Sequence, residues 1–161
     1  MKKFFYSSIM VLCLVACGVT PPEDTPIFTL KYYNADGQLV DLYGGQTIEI
    51  SKFDVVEGDE APKLLFEGVL YCEESFNLEV KATRYHYENT SDEFCLGQCV
   101  PGNGEAMQVF SASINQDETD FYAHFGANKS GDYKIDYDFY EKEKPNVKIS
   151  ITVIYKYYPE N

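Results

Sequence analysis

Two stretches near the C-terminus decide the fold: Tyr133-Lys134-Ile135-Asp136-Tyr137-Asp138-Phe139-Tyr140, and Val147-Lys148-Ile149-Ser150-Ile151-Thr152-Val153-Ile154-Tyr155-Lys156. In the first, Tyr133, Ile135, Tyr137 and Phe139 fall on one side of an extended chain, and Lys134, Asp136, Asp138 and Tyr140 on the other. In the second, Val147, Ile149, Ile151, Val153 and Tyr155 oppose Lys148, Ser150, Thr152 and Lys156. A period of two residues is the signature of strands with one buried and one wet face. The charged link from Glu141 to Pro145 joins them into a hairpin.

Upstream of this hairpin, short apolar segments alternate with turn chemistry, and no long helical period appears. Phe28, Leu30 and Tyr32 alternate up to Asn34-Ala35-Asp36-Gly37, where Asp-Gly suits a hairpin turn. Val40 and Leu42, Ile48 and Ile50, then Phe53 and Val55 continue the pattern. Leu64 to Cys72 is a continuous apolar run fit for a central strand. Phe76, Leu78, Val80 and Ala82 share one face while Tyr85 and Tyr87 have the opposite parity, which predicts a bulge near Thr83-Arg84. A loop is expected from Asn89 to Glu105, followed by a strand from Met107 to Ile114. The fold class is therefore all-β: a single immunoglobulin-like antiparallel β-sandwich of about eight strands, over residues 27–158.

The chain opens with Met1-Lys2-Lys3 and an apolar run from Phe4 to Val15, too short for the roughly 18 apolar residues that span a bilayer. Residues 1–16 are expected to be a signal peptide. Leu14-Val15-Ala16-Cys17 resembles the bacterial lipoprotein signal, which implies cleavage before Cys17 and lipidation of it, with palmitate among the acyl chains. Residues 17–26, containing Pro21, Pro22, Glu23, Asp24 and Pro26, read as a tether. The acids after Cys17 resemble a Bacteroidetes signal for the outer face. The expected location is therefore the outer membrane, at the cell surface or on its periplasmic face.

The chain of 161 residues has a net charge of −13, and losing Lys2 and Lys3 with the signal makes it more negative. Such a charge excludes nucleic acid as a partner and argues against an anionic lipid face. With aromatics at 16% of residues the chain has the material to fold. About 145 residues remain after cleavage, enough for one core.

Of the five cysteines, Cys13 leaves with the signal and Cys17 takes lipid, leaving Cys72, Cys95 and Cys99. Outside the cytoplasm Cys95 and Cys99 suit a disulfide, Gly97 letting the short loop return. Cys72, in an apolar run, reads as a small buried hydrophobe. The alternative is a thiol-redox or copper/zinc protein using Cys72, Cys95 and Cys99. Against it, efficient redox pairs are Cys-x-x-Cys at a helix start, and a copper site of this spacing would want His where Asn103 stands and Met one residue before Met107.

Phe94-Cys95-Leu96-Gly97-Gln98-Cys99, followed by Phe121-Tyr122-Ala123-His124 and Gly131-Asp132-Tyr133-Lys134-Ile135-Asp136-Tyr137, resembles a domain of exported Bacteroidetes lipoproteins. That domain carries an F-C-aromatic-G-x-C loop, an F-x-x-H strand and a G-x-x-x-I-x-Y hairpin, and Leu96 stands here in place of the aromatic. The resemblance spans about residues 65 to 157. It implies the sandwich fold and an exported location, and brings no activity with it.

His86 and His124 lack a second His at zinc-ligand spacing, so each reads as a strand-face residue. Asn115 to Asp120 reads as an acidic turn with some capacity for weak calcium binding, although it lacks the glycine and terminal Glu of the helix-loop-helix calcium loop. No serine nucleophile motif or phosphate loop is present, so no catalytic residue, enzyme activity or cofactor is assigned. Tyr85, Tyr87, Tyr122 and Tyr140, with Tyr157 and Tyr158, are the candidate contact residues, because aromatic rings among acids suit a glycan or protein ligand. The functional expectation is a membrane-anchored, non-catalytic binding or structural module for such a partner.

Overall fold

The structure is a computed structural model that describes residues 25–54, 63–86 and 88–159. Twelve strands make up the fold: β1 (Phe28–Tyr33), β2 (Leu39–Leu42), β3 (Thr47–Ile50), β4 (Phe53–Asp54), β5 (Lys63–Cys72), β6 (Phe76–Arg84), β7 (Thr90–Leu96), β8 (Gln98–Pro101), β9 (Met107–Ile114), β10 (Asp117–Ala127), β11 (Gly131–Glu141) and β12 (Lys148–Tyr157). They form a seven-stranded sheet in the order β2-β1-β5-β10-β7-β8, with β4 also on β5. A five-stranded sheet runs β3-β12-β11-β6-β9. The two pack face to face as an immunoglobulin-like sandwich.

The β11–β12 hairpin has the register that its alternation demands, with Ile135 opposite Val153 and Tyr137 opposite Ile151. Its inward residues meet an aromatic layer from the other sheet. Phe94 lies 5.6 Å from Tyr137, Phe121 lies 5.4 Å from Phe139, and Phe125 stacks on Tyr155 at 4.7 Å. Each buried ring of this kind contributes roughly 2–3 kcal/mol relative to exposure. Gly68 in β5 makes room for this layer: a Cβ there would sit 2.5 Å from the Phe121 ring and 2.3 Å from the Lys31 carbonyl oxygen. At the centre, the Tyr137 and Tyr155 hydroxyls bond each other at 3.2 Å. Burial pushes both phenols up.

The sandwich expectation holds, with four differences. Twelve strands replace about eight, chiefly because residues 90–101, read as loop, form β7 and β8. Not every pair is antiparallel: β3 joins β12 in parallel. The turn after β2 hands the chain to the other sheet, where Gly45 N–H donates to the Ser150 carbonyl at 2.7 Å and Thr152 N–H to the Gln46 carbonyl at 2.9 Å. Nor is there a bulge at Thr83-Arg84, since β6 runs in unbroken register through Arg84 against β11. Arg84 takes the next inward position after Leu78, Val80 and Ala82, and an ion pair makes that possible. The acidic segment also differs: Asp117, Glu118 and Asp120 are the opening residues of β10, paired with Cys72, Tyr71 and Val69. Their oxygens are spread along a strand rather than wrapped around a point.

Candidate functional site: an open edge of the sandwich

Strands β8 and β9 end the two sheets on the same side of the molecule, and the groove between them is the candidate site. One wall is the β7–β8 hairpin, which turns at Gly97 with φ of 74°. Gly102 N–H donates to the Asp92 carbonyl at 2.6 Å. Ladder hydrogen bonds therefore fall at Asp92, Phe94 and Leu96, and the Cys95–Cys99 pair occupies the intervening position, where facing strands come closest. Their Cα atoms are 3.9 Å apart and the sulfurs form a disulfide. Cys95 is buried and Cys99 exposed. Beside the bridge, the Tyr122 hydroxyl is 3.9 Å from Cys99 Sγ, His124 Nδ1 lies 2.7 Å from Glu93 Oε1, and the rings of Tyr122 and His124 are 5.3 Å apart.

The other wall is β9. Arg84 N–H donates to the Ala106 carbonyl at 2.7 Å, which fixes the phase of the β6–β9 ladder. By the alternation of antiparallel pairs, Gln108, Phe110, Ala112 and Ile114 exchange hydrogen bonds with β6. The N–H and C=O groups of Met107, Val109, Ser111 and Ser113 point to the free edge. All four of those residues are exposed, Met107 by 56% and Val109 by 47%. The groove of about 280 Å³ is lined by Phe94, Leu96, Val100, Phe110 and Ala112 among others, and Val100 is 42% exposed at its rim.

A buried ion pair closes one end of this opening. Arg84 Nε donates to both Asp92 carboxylate oxygens at 3.0 Å and Nη2 to one of them at 2.6 Å, the two side chains being 1% and 8% exposed. Arg84 also donates to the Glu105 carbonyl at 3.3 Å and to Gln108 Oε1 at 3.2 Å, while Gln108 Nε2 donates to the Pro101 carbonyl at 3.2 Å. Asp92 packs against Gly102, where a Cβ would come within 2.5 Å of its carboxylate. The cluster ties β6 of one sheet to β7 of the other and pins the β8–β9 connection. Sequence reasoning missed it: the signal was half there, in Arg84 at the next inward position of the β6 alternation, while Asp92 lay in a stretch read as loop.

The remaining candidates scatter. Cys72 is buried and free, its Sγ–H donating to the Asn115 carbonyl at 3.2 Å. Burial, aided by the nearby Asp117 charge, pushes its thiol up. It pairs with Asp117 whereas Cys95 pairs with Tyr122, five positions on, a separation of about 17 Å along β10. The three cysteines are thus not brought together. Glu93, Cys95 and Cys99 do offer ligand atoms within 4.8 Å of one another, but with the disulfide formed neither sulfur is a thiolate.

Tyr85 is exposed, its hydroxyl donating to Asp136 at 2.7 Å and its ring lying 4.1 Å from Lys134 Nζ. Tyr158 is likewise exposed, and Tyr122 half-buried. Tyr140, expected to be available for contact, is instead 9% exposed: it lies on the outer face, but its cross-strand neighbour Glu79 bonds and covers it. Tyr157 is buried against Phe53 and Phe125. His86 is exposed. Tyr87, Val55, Cys13 and Cys17 lie outside the described residues.

The fold and this open edge define an immunoglobulin-like two-sheet domain. The chain is similar in structure to the N-terminal domain of PorA, with a TM-score of 0.56 and 14% identity over 80% of this chain and 96% of that one. A PapD-like domain of human CEP192 also aligns, with a TM-score of 0.39, 12% identity, and coverage of 96% of this chain and all of that one. No protein-family model matches the chain, and no curated protein matches it.

Proposed function

We propose that this chain is an exported lipoprotein, held at the outer membrane by acyl chains on Cys17 and facing the cell surface or the periplasm. It works without catalysis, as a binding or structural module for a protein or glycan partner. The observation that carries the binding role is the open β8–β9 edge, where Val100, Met107 and Val109 are exposed beside an apolar groove and unpaired backbone. The disulfide and the remote, buried Cys72 favour this reading over thiol or metal chemistry. The anchor rests on the sequence of residues 14–17 and their flanks.

Thiol accounting tests the binding role. A form beginning at residue 18 should expose one alkylatable cysteine when denatured without reductant and three after reduction, with no bound metal. Three freely alkylating thiols, or thiols shielded by stoichiometric copper or zinc, would overturn the proposal in favour of the cysteine loop as a chemical site. For the anchor, Cys17→Ser should abolish fatty-acid labelling and shift the protein out of the membrane fraction. Retention of the label would refute it.

A further inference from the structure

We infer that β9 is a strand acceptor: an extended segment of a partner protein adds to its free edge as a sixth strand of the smaller sheet. This inference rests on the binding role proposed above and gives it a partner class. Among the described residues five strands pair on one side only, and four of these are blunted in the ways that discourage pairing, β4 by having just two residues. β2 has four residues and carries Asp41, paired with Lys31 at 3.5 Å. β3 has four and carries Glu49, paired with Lys156 at 2.6 Å. β8 has four, ends in Pro101, which lacks an N–H, and is tied back by the disulfide.

By contrast β9, Met107-Gln108-Val109-Phe110-Ser111-Ala112-Ser113-Ile114, has eight residues with no charge and no proline. Charged residues are 24% of the whole chain.

The edge dictates what fits it. Met107, Val109, Ser111 and Ser113 present donors and acceptors at the spacing of an antiparallel ladder, which an extended peptide matches and a sugar ring or helix does not. On one side of such a strand every second side chain would enter the groove over Phe94, Phe110 and Ala112, so apolar residues are favoured there. The net charge of −13 sets two copies of this chain against each other and favours an occupant poor in acids. The partner class is therefore a protein with an extended, non-acidic segment carrying apolar residues at alternate positions.

Hydrogen exchange and peptide selection test this together. In the free protein, the amides of Met107, Val109, Ser111 and Ser113 should exchange fast and those of Gln108, Phe110 and Ala112 slowly. Nine-residue peptides selected on the protein from a random display library should show the alternating pattern, and at saturation should protect Val109 and Ser111. Ser111→Pro removes an N–H that makes no ladder bond within the fold, and should weaken those peptides at least about tenfold. Val109→Lys leaves every backbone group in place and should weaken them similarly, so the test stands even if the proline variant folds poorly.

No enriched peptide, peptides that protect no edge amide, or affinities for both variants equal to that for the unaltered protein would overturn strand addition. Peptide binding at another surface, or binding on a glycan array, would do so while leaving the binding role intact. Reactive or metal-shielded thiols would remove the binding role itself.

Discussion

Replacing Asp92 by alanine should be among the costliest single changes in the molecule. The carboxylate takes three close contacts from the Arg84 guanidinium, at 3.0, 3.0 and 2.6 Å, inside a site where the Arg84 side chain is 1% exposed. Without it the guanidinium keeps only the Glu105 carbonyl at 3.3 Å and Gln108 Oε1 at 3.2 Å, and neither carries a charge. A buried ion left without its partner typically costs about 3–5 kcal/mol. A domain of this size has about 5–15 kcal/mol in total. In urea, where small proteins lose about 1–3 kcal/mol per molar, the unfolding midpoint should fall by about 1–5 M. The double variant Arg84→Met with Asp92→Leu removes both charges and should recover most of that loss, because such pairs often break even against apolar groups of similar volume. A loss below about 1 kcal/mol for Asp92→Ala, or a double variant no better than the single, would refute the view that this pair joins the two sheets.

Three further expectations follow from the same structure. Asp138 is held down at about 2: burial opposes this, but hydrogen bonds from Lys148, Ser150 and Lys81 outweigh it. A carboxyl lowered by folding stabilises the native state above its unfolded value of 3.8, and loses that contribution as pH falls toward 2. Urea midpoints measured across that window should therefore drop less steeply for Asp138→Asn than for the unaltered protein. Gly68→Ala should lower stability by about 1–3 kcal/mol or more, read by thermal melting, since the new methyl meets both the Phe121 ring and the Lys31 carbonyl. Tyr137→Phe leaves the buried Tyr155 hydroxyl unpaired and should cost about 1–3 kcal/mol. Adding Tyr155→Phe should return part of it, and a double variant worse than the single would contradict the pairing.

The sequence disclosed the parts of the fold in which one residue type meets one environment. Alternation alone set the β11–β12 hairpin and its buried face, and Gly97 between two cysteines marked the tight, bridged turn of β7–β8. What stayed hidden depends on pairs distant in sequence. Ser91-Asp92-Glu93 reads as loop because nothing local shows that Asp92 faces inward to meet Arg84. The same ion pair turned Arg84 from an inward residue into an apparent bulge. Tyr140 looked available because it shares the wet face with Lys134, Asp136 and Asp138, yet its cross-strand neighbour there is Glu79. The parallel entry of β3 is a property of sheet order, which leaves no periodic trace.

The candidate site was hidden for a related reason, and that reason is also its argument. The alternation of Met107 to Ile114 marks a strand but not its place in a sheet, and the interior strands β5, β10, β11 and β12 differ from it in carrying charged residues. At an edge such charge has a second use, since charge, proline or brevity keeps other strands away. β2, β3 and β8 satisfy the edge rule, while β9, longer than any of them, has neither charge nor proline at its edge position. Sites where local pattern and global topology conflict are where function tends to be found. A long, uncharged strand left unprotected at a sheet edge is explained most simply by a neighbour that another protein supplies.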